Sequence, residues 1–124
     1  MPKILLVEDD ETLSKMYQKK LELEGFEIEV AFSGTEGIEK ATTTSPDLIL
    51  LDIMLPGVDG FGVIREIQKV EKAKHIPIII LTNLGTSDVF IDEAKILGVK
   101  KYLIKYKTSV DELVKVVREE LGKI

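Results

Sequence analysis

The sequence predicts a doubly wound α/β fold, a parallel sheet of short strands with helices on both of its faces. Three observations carry that expectation. Five apolar runs, Ile4–Val7, Phe26–Ala31, Leu48–Leu51, Ile76–Leu81 and Tyr102–Ile104, have the length of strands rather than helices. The segments between and after them carry helical spacing. The two kinds of segment alternate five times along the chain, a pattern that demands right-handed crossovers between parallel strands and therefore helices above and below the sheet.

The elements follow in order. The first run is apolar throughout and stops at Glu8-Asp9-Asp10. Leu13, Met16, Tyr17 and Leu21 share one face of the first helix, which Gly25 ends. The second run alternates polar and apolar residues, so it belongs at an edge, half in water. Ser33 and Glu36 form a capping box at the start of the second helix. The third run, fully apolar and hence central, ends at Asp52, and Phe61, Ile64 and Ile67 line the helix beyond it. The fourth run is also central and ends at Thr82; Gly98 closes its helix. The fifth is short, follows Lys100 and Lys101, and so reads as a protected edge before Lys105. A second capping box, Ser109 with Glu112, opens a last helix striped by Val110, Leu113, Val114, Val117 and Leu121. Strands one, three and four in the middle give the flavodoxin-like order 2-1-3-4-5.

Composition narrows the function. At 124 residues the chain has the size of one domain, taken as residues 1–124. Its closing Leu121-Gly122-Lys123-Ile124 would suit a whole protein or the front of a longer one. Hydrophobic residues at 44% with 31% charged fit a globular chain. No apolar run approaches the roughly 20 residues of a membrane span and no cleavage pattern follows Met1, so a cytoplasmic location is expected. The absence of cysteine removes disulfides, thiolate metal sites and cysteine nucleophiles. A net charge of -5 with dispersed lysines argues against direct binding to nucleic acid.

Chemistry collects at one rim. In open α/β sheets ligands bind beyond the carboxyl ends of the strands, where the winding reverses, here between strands one and three. Glu8, Asp9, Asp10, Asp52, Thr82 and Lys105 all fall at such ends. Several carboxylates together repel one another, a burden relieved by a hard divalent cation that takes oxygen ligands; Mg²⁺ is the natural candidate. A carboxylate can itself attack phosphorus, provided that cations neutralise the equatorial oxygens. Lys105 can supply one such charge, and the Thr82 hydroxyl can donate to a phosphoryl oxygen.

With these residues in place the sequence resembles the receiver domains of two-component response regulators over essentially its whole length. The matching segments are Ile4-Leu5-Leu6-Val7-Glu8-Asp9-Asp10, Asp47-Leu48-Ile49-Leu50-Leu51-Asp52, Leu55-Pro56-Gly57-Val58-Asp59-Gly60, Ile80-Leu81-Thr82 and Tyr102-Leu103-Ile104-Lys105. Each is weak alone; in order, and at the right strand ends, they are specific. The resemblance implies that Asp52 is the phospho-acceptor, with Asp9 a direct Mg²⁺ ligand, Glu8 acting through water and the Met54 backbone carbonyl completing the protein ligands. It makes Asp10 the cap of the first helix, Thr82 and Lys105 the groups that sense the phosphoryl, and Tyr102 the aromatic switch. It further implies a sensor histidine kinase or phosphotransfer protein as donor, and a downstream effector or output domain met through helix four, strand five and helix five. A phosphorylation-dependent dimer is compatible with it.

Two residues depart from that pattern. Tyr106 stands where proline usually follows the lysine, and Asn83 where a small residue usually follows the threonine, which narrows the path of Thr82 and Tyr102. Met54 and Leu84, flanking the phosphoryl, are apolar and cannot orient an attacking water, so self-dephosphorylation should be slow. Competing readings fare worse. A phosphatase or mutase with an aspartate nucleophile would carry a second aspartate two residues on, where Met54 stands. A flavin carrier would need a hydroxyl- and glycine-rich loop where Glu8-Asp9-Asp10-Glu11 would repel phosphate. A degenerate receiver that only binds proteins would lack the acceptor, a metal ligand or the lysine, and all are present. His75, the only histidine, precedes Ile76-Pro77 in a loop and reads as incidental.

Overall fold

The computed structural model describes residues 1–84 and 88–122, so Lys123 and Ile124 of the chain's closing residues lie outside the described part. The elements run β1 (Lys3–Val7), α1 (Glu11–Leu23), β2 (Glu27–Ala31), α2 (Gly34–Thr43), β3 (Leu48–Leu51), α3 (Gly60–Gln68), β4 (Ile78–Thr82), α4 (Asp88–Ile96), β5 (Lys101–Ile104), a 3-10 turn (Lys105–Lys107) and α5 (Val110–Leu121). All strands are parallel, in the order β2-β1-β3-β4-β5. The predicted fold class and strand order are those observed.

The apolar strands are explained by two cores, one on each face of the sheet. Side chains of a strand point alternately to opposite faces. Leu5, Val7, Ile49, Leu51 and Ile80 therefore pack with Ala41 of α2, Phe61, Ile64 and Ile67 of α3 and Ala94 of α4. Ile4, Leu6, Leu48, Leu50, Ile79 and Leu81 pack with Tyr17 and Leu21 of α1 and Leu113, Val114 and Val117 of α5. A central strand with a helix on either side has no wet face, so it stays apolar up to its carboxyl end, where β4 closes on the buried Thr82.

Helix ends largely follow the residues read for them. Gly25 and Gly98 take positive φ values of 95° and 84°, conformations that side chains resist. Each closes its helix with paired bonds: Gly25 N to the Glu22 carbonyl and Phe26 N to that of Leu21, then Gly98 N to Lys95 and Val99 N to Ala94. The two capping boxes close differently from the expected form. Ser33 Oγ and Ser109 Oγ accept from the Glu36 and Glu112 amides, as predicted, but Glu36 Oε1 accepts from Phe32 N, freed because edge strand β2 has ended at Ala31. Glu112 Oε1 instead accepts from the Ser109 hydroxyl. Other corrections are small. β4 starts at Ile78 because Pro77 has no N–H for the ladder, and Met16 lies at the edge of its helix face, 37% exposed. Among the described residues, no helix is long and apolar enough to cross a membrane.

Candidate functional site

The sheet delivers its polar residues at the last ladder position or one step past it. Glu8 N donates to the Ala31 carbonyl and Asp52 N to that of Val7, so the backbone of both acids is fixed by the neighbouring strand. Thr82 is the last residue of β4, and Lys105 opens the 3-10 turn after β5. Asp52, buried, accepts at Oδ1 from Thr82 Oγ1 at 2.6 Å and from Met54 N at 3.0 Å. Its Oδ2 accepts from Lys105 Nζ at 2.7 Å. Lys105 Nζ also pairs with Glu8 Oε1, and Glu8 Oε2 accepts from Asp10 N at 3.1 Å. Asp10 itself caps α1, accepting from Leu13 N at 3.0 Å. Asp9 is exposed and makes no hydrogen bond or ion pair among the described residues.

The charges are out of balance. Burial drives the Glu8 carboxyl above its ordinary range, against the hydrogen bond and charge of Lys105. Burial pulls the Lys105 ammonium down, but its bonds to Asp52 and Glu8 and their charges more than offset this, and it stays protonated above its usual value. The two directions agree: one ammonium shared by two buried acids is held firmly, while Glu8 receives too little of it to offset its own desolvation. Tyr17, placed by the sequence only on the buried face of α1, lies within the field of this cluster and has its phenol raised by burial. No spacing in the sequence singles it out.

Glu8, Asp9 and Asp52 each offer an oxygen to a group whose members lie within 4.8 Å of one another. They line a cavity of about 310 Å³ with Asp10, Leu13, Met54, Asn83 and Lys105. Hard, anionic oxygens in excess of the available positive charge fit a cation such as Mg²⁺, which favours oxygen ligands and keeps part of its water shell. Tyr102 stands apart from this set. It pairs with Ile80 in the sheet and packs against the α2, α3 and α4 side of the core, with its hydroxyl buried and without a hydrogen-bond partner among the described residues. His75 is exposed in the turn before β4, at the opposite end of the sheet.

A doubly wound sheet with two acids after β1, an aspartate after β3, a hydroxyl ending β4 and a lysine after β5 defines a class, and the family model for the response regulator receiver domain matches residues 4–118. The chain belongs to the response regulator receiver family, signalling switches of two-component systems that work with histidine kinases and output domains. Response regulator ArlR of Staphylococcus saprophyticus is 35% identical over 122 residues, which is 98% of this chain and 53% of that protein. Chemotaxis protein CheY4 of Vibrio cholerae superposes with a TM-score of 0.88 at 29% identity, covering 96% of this chain and 98% of that one. The receiver domain of a sensor histidine kinase from Pseudomonas aeruginosa, with a magnesium ion coordinated in its active-site cleft, gives 0.88 at 28% identity over 98% of each chain. The chain spans 28% to 53% of the length of such curated relatives.

Proposed function

We propose that residues 1–124 act as one receiver domain that takes a phosphoryl group onto Asp52 from the phosphohistidine of a sensor histidine kinase or a phosphotransfer protein. The observation that carries this reading is the Asp52 carboxylate held between the Thr82 hydroxyl and the Lys105 ammonium beside Glu8 and Asp9. An Asp52 carboxylate oxygen attacks phosphorus, an O–P bond forms as the P–N bond to the donor imidazole breaks, and the leaving nitrogen keeps the electron pair of that bond and takes up a proton, so that the donor departs as imidazole. Lys105 and Thr82, already in contact with the acceptor, shift to the incoming equatorial oxygens, where their donors match the charge that develops. Glu8, Asp9, Asp52 and the Met54 carbonyl would hold Mg²⁺, which supplies further neutralisation of phosphoryl charge when bound. Burial around Lys105 keeps these contacts strong by excluding water.

Adding charge to Asp52 draws Thr82 toward it and opens space behind β4. Tyr102 is suited to respond: its hydroxyl is buried without a partner among the described residues, an arrangement that costs about 1–3 kcal/mol and favours a rotamer that reaches water. The readout surface on this view is α4, β5 and α5, around Tyr102, Lys100 and Lys101, offered to an output domain or a second copy. Incubating the chain with acetyl phosphate and Mg²⁺ should add one phosphate by mass to the wild type and none to Asp52→Ala. Met54 and Leu84 can orient no water, so that adduct should persist after the donor is removed; loss within seconds would contradict the slow-hydrolysis part of the proposal.

A further inference from the structure

Helix and turn starts leave backbone N–H groups without partners, and a side chain just ahead of the start normally accepts from one. The 3-10 turn of Lys105–Lys107 has no such local cap: Ile104 stands at the cap position and offers no side-chain acceptor. The Tyr106 amide, which a proline there would not possess, instead donates to Asn83 Oδ1 at 3.2 Å, across 23 residues of sequence. Asn83 directly follows Thr82, and its neighbour Leu84 is tied back to Thr82 Oγ1 by its own amide at 3.2 Å. One asparagine thus joins the end of β4, which carries the hydroxyl, to the turn after β5, which carries the ammonium. The two residues that depart from the receiver pattern are the donor and the acceptor of one bond.

We propose that Asn83 is a positioning residue that acts through Lys105: by capping the turn from the neighbouring loop it fixes Lys105 Nζ against Asp52. Without that acceptor the turn keeps its own bond from Thr108 N to the Lys105 carbonyl and Lys105's contacts, but loses its tie to the loop after β4. The ammonium then samples positions from which it meets the phosphoryl oxygens less often. This rests on the reading of Asp52 as acceptor, and the test separates the two. Rates of adduct formation with acetyl phosphate are compared for wild type, Asn83→Ala, Lys105→Met and the double variant. Mg²⁺ affinity is measured by calorimetry, and the Tyr106 amide and Lys105 side-chain resonances by NMR without Mg²⁺.

Asn83→Ala should slow adduct formation about three- to tenfold, the worth of one hydrogen bond. Mg²⁺ affinity should stay within about twofold, since Asn83 is no ligand, and in the Lys105→Met background the loss should vanish, because residues acting through one group are not additive. The Tyr106 amide proton should move upfield and the Lys105 signal shift with it. An unchanged rate in Asn83→Ala, or the same loss with Lys105 already gone, overturns the proposal. If the wild type takes up no phosphate, the acceptor reading fails; the NMR signals then still decide the tie, and an unmoved Lys105 signal in Asn83→Ala refutes it.

Discussion

At the scale of single residues, the site is a set of groups each held at some cost by the others. Tyr102 carries a buried hydroxyl with no partner among the described residues. Tyr102→Phe removes the desolvated group without removing any bond, so thermal unfolding should show a gain of about 1 kcal/mol. Glu8 titrates above its ordinary value because burial outweighs the help of Lys105. The folded chain therefore holds that proton more tightly than the unfolded one. Stability is fullest below the unfolded value of 4.5 and falls as pH rises through the higher folded value. Melting curves in EDTA should find wild type and Glu8→Gln alike in acid, with the variant increasingly favoured toward neutral pH. Asp52, Thr82 and Lys105 were legible in the sequence because each ends an apolar run, and a strand end fixes where a side chain goes. Asn83 was visible only as a departure, since a bond between two loops leaves no periodicity to read.

At the scale of elements, the start of α3 sits directly under the loop that carries Asp52. Asp59 caps this helix by accepting from Gly62 N at 2.9 Å, and Gly60 is its first residue. A Cβ on Gly60 would lie 2.5 Å from the Asp52 carbonyl oxygen and 2.6 Å from Ile53 Cα. Both are backbone atoms and cannot swing aside. Gly60→Ala should destabilise the fold by about 1–3 kcal/mol in denaturant unfolding, and any relaxation that lets it fold must move the Asp52–Met54 backbone. The core faces of α3 and α5 were readable from Phe61, Ile64 and Ile67 and from Leu113, Val114 and Val117, all buried. At the ends of α5 periodicity gave the face but not the depth of burial. Val110 and Leu121 continue the stripe and pack against the same core, but are only partly covered. Where β4 starts was likewise set by Pro77 rather than by hydrophobicity.

For the molecule as a whole, three carboxylates face one ammonium across a sheet whose strands all point the same way. A cation that binds only the folded arrangement raises stability by mass action. Mg²⁺ should therefore raise the melting temperature of the wild type relative to EDTA, and Asp9→Asn, which removes an exposed and unpaired charge, should blunt that rise. Strand order was legible because two edge strands differ from three central ones in pattern; the closeness of the charged groups was not, since pairing distances across a sheet are not written in any one segment. Glu8 and Lys105 meet across 97 positions of sequence. A nascent chain emerges with its acids first and the counter-charge that tames them only after β5. Until the final strand has been added, whatever has already collapsed on the ribosome carries an electrostatic debt, and the buried acids of the rim meet their ammonium only with completion of the sheet.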